Sequence, residues 1–495
     1  MELPSPLPMI PDTPRGAWVM TDVPGRLDAL DWSRWHQRLL LALGITWILD
    51  GLEASLVANI APTLRDPAAL GLSATQIGMA NSVYLVGQVA GALVFGYLTD
   101  RLGRKRLFLV TLALYLGATA LSGLAPDYQV FLGFRFLAGA GIGGEYSAIN
   151  SAIDEMVPAR MRGAIALGIN GSYWVGVALG AGVTLIVLDT RIFSTAVGWR
   201  VAFGFGAVLG LAILLVRRHM PESPRWLLTH GYVQAAIATV ERIEAEARGH
   251  GRRVQGEAIS IVAVRVKVSG TVGLRHLVHT LVRRYPRRTM LGLSLMLAQA
   301  FLYNSIFFSY GLILEEFHGV PPEYVSLYIV PFAVGNFLGP LVLGPAFDRW
   351  GRRVMIPLTY ALSGVLLLAT GGLFMAGSLN AVTQTLAWML VFFVASAAAS
   401  SAYLTVSELF PVELRGMAIA VFYAFGTLVG AGAPALFGAI VDTGDPGRLF
   451  AGYVLAAVLM MAAAVVARAF GVDAERRSLE EITAETPPPG ASIAR

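Results

Sequence analysis

Apolar residues recur along this chain in runs of about twenty, and short polar stretches separate the runs. The runs form two sets of six, divided by a polar stretch from about 217 to 288. They lie near 38–60, 75–99, 106–124, 128–154, 162–188 and 197–216, and then near 289–314, 323–347, 354–376, 381–407, 414–440 and 448–470. A helix of about 20 apolar residues spans the roughly 30 Å hydrocarbon core of a bilayer. The pattern therefore predicts twelve transmembrane helices.

The composition supports a membrane protein and argues against several kinds of active site. Hydrophobic residues make up 56% of the 495 residues and charged residues only 14%, whereas a soluble domain carries roughly 25% charged residues. The chain has no cysteine, which excludes disulfides, thiolate nucleophiles and cysteine-ligated metals. Its seven histidines show no metal-type spacing. No metal or cofactor is therefore predicted.

Two sequence repeats relate the first half of the chain to the second. GYLTDRLGRKR starts at Gly96 and GPAFDRWGRRV at Gly344, and an E-x-x-P-x-x-x-R-G run starts at Glu155 and again at Glu408. Both repeats are separated by about half the chain, which predicts two pseudo-symmetric six-helix bundles in an all-α membrane fold. The predicted divisions are an N-terminal segment 1–35, a first bundle 36–216, a central loop 217–288, a second bundle 289–470 and a disordered tail 471–495.

The distribution of Lys and Arg predicts the orientation. The loops after spans 2, 4, 8 and 10 carry ten of these residues and the opposite loops carry four, so the basic side is expected to face the cytoplasm. Both termini fall on that side, in a plasma membrane or a bacterial inner membrane. The stretch 217–288 carries fourteen Lys or Arg and five Asp or Glu. We interpret this charge as topology and lipid-headgroup contact rather than nucleic-acid binding. Within it, YVQAAIATVERIEAEAR predicts a short amphipathic helix.

One motif matches a nucleotide-binding pattern by chance. GAGIGG, from Gly139 to Gly144, fits G-x-G-x-x-G, but that fingerprint requires a preceding strand and a βαβ unit. Here the motif lies inside a predicted span. Small residues that let membrane helices approach closely explain it better, as they do for GQVAG at 87–91 and GVALG at 176–180.

The two loop repeats, together with PESPRWL at 221–227, resemble the major facilitator superfamily over roughly residues 35–470. Within it, PESPRWL and RFLAGAGIGGEY are similar to the sugar porters, organic-ion transporters and related metabolite:proton symporters, and LDGLE resembles a motif of the aromatic-acid:proton symporters. The resemblance implies a rocker-switch carrier with its binding site near mid-membrane. It also implies a cytoplasmic gate formed by Asp100, Arg101, Gly103, Arg104, Glu155, Arg162, Asp348, Arg349, Gly351, Arg352, Glu408 and Arg415.

Three ionisable residues lie inside predicted spans. Asp50 and Glu53 are three residues apart on one helical face of span 1, and Arg135 lies in span 4. An ionised group in hydrocarbon costs at least a few kcal/mol unless it is paired, protonated or wet. The resemblance to sugar porters predicts that Asp50 pairs with Arg135 and that protonation of Asp50 breaks the pair. The alternatives are a static ion pair, and a Glu53 that is merely solvated near the interface.

Amides and aromatic side chains inside the spans are the candidates for substrate contact. They are Gln299, Tyr303 and Asn304 in span 7, Asn170, Tyr173 and Trp174 in span 5, and Trp388 in span 10. Gln299 and Asn304 match sugar-porter positions, whereas Ala298 and Phe307-Phe308 differ from them. For each aromatic residue alone, helix packing is the alternative. Because Asp50 is expected to neutralise Arg135, the site should favour neutral or zwitterionic solutes over acids.

These observations predict a secondary active transporter of a small organic metabolite, coupled to protons as a symporter. The expected partners are the solute, protons and the bilayer, and the expected state is a monomer. A uniporter, or a proton antiporter of a sugar, aromatic acid or organic ion, remains an alternative, and so does a non-transporting sensor. An intramembrane enzyme is disfavoured, because the sequence shows no metal cluster, nucleophile–base pair or phosphate-binding loop.

Overall fold

The computed structural model describes residues 12–14, 16–30, 33–156, 159–217, 222–248, 264–267, 274–410 and 412–471. The predicted disordered tail therefore lies almost entirely outside the described residues. The chain enters the described part with strand β1 (Trp18–Thr21) and the short helix α1 (Val23–Asp28). The helices of the N-terminal half follow: α2 (Arg34–Arg65), α3 (Ala74–Leu102), α4 (Arg104–Ser122), α5 (Tyr128–Met156), α6 (Ala159–Val187) and α7 (Thr195–Arg217).

The central segment and the C-terminal half complete the order of elements. The central segment contains α8 (Pro224–Thr229), α9 (Val233–Arg248), strand β2 (Val264–Lys267) and α10 (Leu274–Arg284). The C-terminal half contains α11 (Pro286–Phe307), α12 (Tyr310–His318), α13 (Val325–Arg349), α14 (Arg352–Met375), α15 (Ala381–Leu409), α16 (Val412–Gly430), α17 (Gly432–Val441) and α18 (Pro446–Phe470). A single 3₁₀ turn precedes α13. Among the described residues, nine stretches are long and apolar enough to cross a membrane.

Two of the predicted spans are interrupted. Span 7 divides into α11 and α12 at Phe308-Ser309, and span 11 divides into α16 and α17 at Ala431. Pro434 cannot donate a backbone hydrogen bond to the fourth residue before it, which explains the second break. The Ser309 hydroxyl donates to the Ser305 carbonyl, a contact that bends helices. Each of these two spans therefore contains a local break between two helical parts.

Small residues set how closely the helices of the N-terminal half pack. Helix α5 packs on α3, and α6 packs on α2. A methyl group on Gly139 would overlap the carbonyl oxygen of Tyr84, and one on Gly143 would overlap that of Gln88. The GAGIGG run is therefore a helix-packing surface, as predicted. In the C-terminal half, α14 packs on α18, α13 on α15 and α11 on α16.

The N-terminal segment folds together with the central segment on the side of the loops rich in Lys and Arg, which we call the basic side. Strand β1 pairs antiparallel with β2, with Trp18 opposite Lys267. The Arg26 guanidinium donates two hydrogen bonds to Glu244, at 2.8 and 3.0 Å. A small apolar core beneath them includes Val23, Leu27, Trp35, Leu39, Phe108, Ile169, Trp226, Leu227, Leu228, Ala236, Val240 and Ile243. The predicted amphipathic helix is α9, whose apolar face belongs to this core.

Candidate functional site

A buried ion pair lies in the middle of the N-terminal half. The Arg135 Nη1 atom of α5 donates to the Glu53 Oε1 atom of α2 at 2.9 Å, and both side chains are at most 1% exposed. Thr119 of α4 donates to the other carboxylate oxygen at 2.9 Å. The Arg135 guanidinium also lies 4.2 Å from the ring centre of Tyr84. Three helices are therefore joined by one carboxylate, in a place without access to solvent.

This pairing corrects the predicted one, because the carboxylate on Arg135 belongs to Glu53 and not to Asp50. Spans 1 and 4 run in opposite directions. Glu53 follows Asp50 by three residues, so it lies about 4.5 Å further along the helix axis, towards the side opposite the basic loops. This rise brings Glu53 level with Arg135. The alternative in which Glu53 is merely solvated is also wrong, since its side chain is sealed inside the bundle. The sequence did not predict that Thr119 and Tyr84 contact this ion pair, because neither residue lies in a motif or in a charged position that would indicate it.

Asp50 lies apart from the ion pair and keeps part of its surface accessible. Gly51 holds this part of α2 against α6, because a methyl group there would overlap the carbonyl oxygen of Tyr173. The close approach places Asp50 beside Tyr173. Gly51 therefore provides room for packing within a continuous helix, and local unwinding is not needed.

Aromatic side chains continue from Asp50 across the contact between the two halves. The ring centres of Trp47 and Tyr173 lie 6.3 Å apart, and those of Tyr173 and Trp174 lie 5.2 Å apart. Trp174 then lies 6.2 Å from Tyr303 of α11. All four side chains are partly exposed. They form a continuous row of rings that belongs to both halves, and we call this row the aromatic wall.

The other predicted substrate residues have different environments. Asn304 is partly exposed and lies beside Gly430, at the break in span 11. Gln299 is nearly buried, and its amide lies 3.9 Å from the Met296 sulfur. The Asn170 side chain lies outside the described residues.

Trp388 does not belong to the aromatic wall. Its ring is fully buried and lies 4.8 Å from the ring centre of Tyr310. The structure therefore corrects the assignment of Trp388 to the substrate site, because an indole without accessible surface packs the C-terminal half. Tyr303 does have a polar partner, since its hydroxyl donates to Asn336 at 2.7 Å.

Contacts between the halves close the side opposite the basic loops. Arg65, at the end of α2, donates to Glu316 at 2.9 Å and to Glu315 at 3.2 Å. Deeper in the membrane, the Thr184 and Ser326 hydroxyls lie 2.5 Å apart. Helix α3 packs on α17, α6 on α13 and α2 on α12. These contacts therefore join the two halves on the side opposite the basic loops.

Asp442 adds a helix cap that crosses from one half to the other. Its carboxylate, at the end of α17, accepts hydrogen bonds from the backbone N–H groups of Ala74 (2.8 Å) and Thr75 (2.7 Å) at the start of α3. A carboxylate at a helix N-terminus satisfies unpaired N–H groups and interacts favourably with the helix dipole. Partial burial raises the pKa of Asp442, but the hydrogen bonds from Thr75 and Ala74 outweigh it, and the pKa lies below its ordinary value.

The repeated loop motifs adopt the same backbone conformation on the basic side. Gly103 has φ +92° and Gly351 has φ +81°, values that disfavour any other residue, and each precedes the first residue of a helix. Glu222 of the PESPRWL motif accepts a hydrogen bond from the backbone N–H of Lys105 at 3.2 Å. Arg101 lies 4.4 Å from the ring centre of Tyr97, and Arg349 is exposed. The two family motifs therefore meet in space.

Most of the predicted gate lies beyond what the structure describes. Side chains outside the described part are those of Asp100, Arg104, Glu155, Arg162, Asp348, Glu408 and Arg415. The ion pairs predicted among them stay predictions. Arg352 is partly exposed at the start of α14.

Comparisons with known proteins match nearly the whole chain. A sequence model described as sugar (and other) transporter matches residues 49–485. The niacin transporter NiaP of Acinetobacter baylyi is 25% identical over 464 residues, which are 93% of this chain and 99% of that protein. The myo-inositol transporter 2 of Schizosaccharomyces pombe is 26% identical over 442 residues, which are 85% of this chain and 77% of that protein.

Solved structures share the same fold. A crystal structure of a D-xylose–proton symporter has a TM-score of 0.67 at 18% identity, and the match covers 90% of this chain and 100% of the other. The xylose transporter XylE from E. coli, in a partially occluded inward-open conformation, has a TM-score of 0.67 at 17% identity, with 88% and 99% covered.

Proposed function

Because this chain belongs to the sugar (and other) transporter family, we propose that it couples the movement of a small organic metabolite to protons. The family and the fold are those of major facilitator transporters and not of enzymes. The chain is thus a multi-pass transmembrane transporter with a small-molecule substrate, which confirms the predicted superfamily and the all-α fold. Proton coupling, alternating access and the direction of transport belong to the proposal.

The sealed Glu53–Arg135 pair is the observation that supports coupling. Removing one partner of a buried pair leaves an uncompensated charge and costs about 3–5 kcal/mol. Protonation of Glu53 removes its charge in the same way. A proton on Glu53 would therefore destabilise the arrangement in which Arg135 is shut away from water. A conformation that hydrates either group would then become more favourable.

The closed contacts opposite the basic loops support one end state of an alternating-access cycle. In the proposal, two six-helix domains (36–216 and 289–470) move as units about the aromatic wall. Opening that side requires Asp442 to leave the start of α3 and Arg65 to leave Glu315 and Glu316. The basic side then closes through the loop motifs at Gly103 and Gly351.

The orientation and the binding residues complete the proposal. The basic loops, both termini and the segment 217–288 lie in the cytoplasm, and the protein acts as a monomer in a plasma membrane or bacterial inner membrane. The solute binds at the aromatic wall, where Tyr173, Trp174 and Tyr303 are accessible, with Asn304, Gln299 and Asn170 as polar contacts. Of the residues first assigned to proton coupling, Glu53 and Arg135 keep that role.

Solute-driven proton flux in proteoliposomes tests this function. Pools of sugars, aromatic acids, organic cations and amino acids would be added outside vesicles that contain a pH-sensitive dye. We expect one pool to drive protons in the same direction as the solute in the wild type. Glu53→Gln should abolish that proton movement, while exchange of labelled solute between the two faces continues. Thr119→Val provides the matched control, because it removes one hydrogen bond to Glu53 and keeps the Glu53–Arg135 ion pair.

Each alternative mechanism has a distinct result in this assay. Movement of labelled solute without any proton flux would identify a uniporter and refute the coupling. Protons that move against the solute would identify an antiporter. A proton flux that persists unchanged in Glu53→Gln would exclude the buried pair as the coupling device.

A further inference from the structure

Helix α10 lies directly before span 7 on the basic side and differs in character from the helix that follows it. Its sequence, LRHLVHTLVRR, mixes apolar with basic residues and contains no acid. The chain turns at Tyr285, and α11 begins at Pro286. The Thr289 hydroxyl of α11 donates to the Leu281 carbonyl of α10 at 2.8 Å. Helix α10 is therefore a separate element that is attached to the start of a membrane span.

The protein covers only part of the apolar face of α10. Leu281 and Tyr285 are buried, and the Tyr285 ring centre lies 6.0 Å from that of Phe410. Val278 and Val282, one helical turn apart, are 43% and 59% exposed. Because Val278 and Leu281 are three residues apart, they lie on adjoining parts of one helical face. An exposed apolar stripe therefore continues from the buried contact.

Exposed arginines lie beside this stripe, at the level where the span begins. Arg283, Arg284 and Arg287 are exposed, and within the described part of the chain none of the three forms an ion pair. The guanidinium groups of Arg284 and Arg288 lie 5.6 and 5.5 Å from the ring centre of Tyr285. The apolar stretch that is long enough to cross a membrane starts at 286. These charges therefore lie where the hydrocarbon ends and the lipid headgroups begin.

Helix α9, the other amphipathic helix of the central segment, has a different environment. Its apolar face belongs to the small core on the basic side. Glu244 and Glu246 of α9 pair with Arg26 and Arg38. Contacts within the protein thus account for the amphipathic pattern of α9. They do not account for the exposed valines and unpaired arginines of α10, which fit a partner that is apolar on one side and anionic on the other.

A membrane surface that contains anionic lipid has this combination of properties. A helix with an apolar stripe and a basic polar face binds in the interfacial plane, and anionic lipids strengthen its binding. Arginine also forms charge-assisted hydrogen bonds with phosphate oxygens. We propose that α10 and the first turn of α11 form a binding site for anionic phospholipids. Val278 and Val282 contact the acyl chains, and Arg283, Arg284 and Arg287 bind the headgroup phosphates. This assignment is independent of the transported solute and of proton coupling.

Quenching by brominated lipids tests the proposal on the full-length protein. The chain contains no cysteine, and His279 is exposed beside the stripe, so a fluorophore on His279→Cys reports the lipids next to α10. The labelled protein would be placed in nanodiscs of phosphatidylcholine with a minor fraction of phosphatidylglycerol. Bromine would be carried by the acyl chains of one lipid or of the other. We expect phosphatidylglycerol to bind about tenfold more tightly than phosphatidylcholine at this position.

Two matched triple variants separate charge from folding. Replacing Arg283, Arg284 and Arg287 with glutamine should remove the preference for phosphatidylglycerol, and replacing all three with lysine should keep most of it, because the positive charges remain. Arg38→Gln is the control on the same side of the protein, since Arg38 pairs with Glu246, and it should leave the preference unchanged. Sodium chloride at about 1 M should weaken the preference without any substitution at the arginines, since it screens exposed charges.

Several results would overturn this assignment. Equal quenching by the two brominated lipids would show that α10 does not select anionic lipid. A preference that survives the glutamine triple variant, or one that is insensitive to salt, would exclude the arginines as its cause. Inorganic phosphate that abolishes the preference at constant ionic strength would show that the arginines bind a soluble phosphate anion instead of a lipid headgroup.

Discussion

Replacing Glu53 with glutamine removes a buried negative charge while keeping the size and shape of the side chain. In the wild type, Arg135 and Thr119 donate to the two carboxylate oxygens at 2.9 Å each, and both members of the ion pair are sealed. The Arg135 Nε and Nη2 atoms make no other hydrogen bond among the described residues. Among the described residues, Glu53 is therefore the carboxylate that pairs with the arginine charge, and the Tyr84 ring lies 4.2 Å from the guanidinium.

The expected effect follows from the cost of an uncompensated buried charge. Breaking such a pair costs about 3–5 kcal/mol. Because 1.4 kcal/mol changes an equilibrium tenfold, the smaller value shifts a two-state ratio about 100-fold. We expect Glu53→Gln to move the population away from the conformation closed opposite the basic loops. Thr119→Val removes one hydrogen bond to the carboxylate, worth about 1 kcal/mol, and should shift the population only about fivefold.

The chain contains no cysteine. Spin labels attached to two introduced cysteines would therefore react at those two positions only. Ala68→Cys and Thr443→Cys place exposed labels on either side of the closed contact, and pulsed electron paramagnetic resonance would report their distance distribution. Asp50→Asn, the matched control, should leave this distribution close to that of the wild type. If the label distances in Glu53→Gln have the same distribution as in the wild type, the buried ion pair does not control the equilibrium between the two access states.

Three further predictions concern contacts outside the ion pair. Because contact with α3 lowers the pKa of Asp442, the closed contact is fully stabilised above the ordinary carboxyl pKa and weakens as the pH falls below about 4. Asp442→Asn should remove this acid dependence of the same label distance, and a retained dependence would exclude the cap as its cause. Arg26→Gln should lower the stability of the basic-side core by about 1–2 kcal/mol, since it breaks the two hydrogen bonds to Glu244. Faster limited proteolysis between 12 and 30 would reveal this loss, and an unchanged rate would contradict it. Arg352→Gln should leave solute affinity nearly intact but slow exchange, and an equal loss of affinity in equilibrium binding would count against a gate role.

The sequence alone determined the elements that depend on local pattern. Runs of apolar residues of bilayer length specify spanning helices, since a backbone in hydrocarbon must satisfy its hydrogen bonds internally. The amphipathic period of 233–248 specified α9 in the same way. The repeated motifs around Gly103 and Gly351 carried the family likeness, because a positive φ at the start of a helix requires glycine at both places.

Only the tertiary structure decided which groups meet. Asp50 and Glu53 share a helical face and the same local chemistry, so sequence could not choose between them as the partner of Arg135. The axial level of α5 against α2 selected Glu53. The pairing of β1 with β2, the Arg26–Glu244 contact and the cap from Asp442 also join residues far apart in the chain. Such contacts depend on the packing of whole helices, and the energy that selects among them is not present in any local stretch.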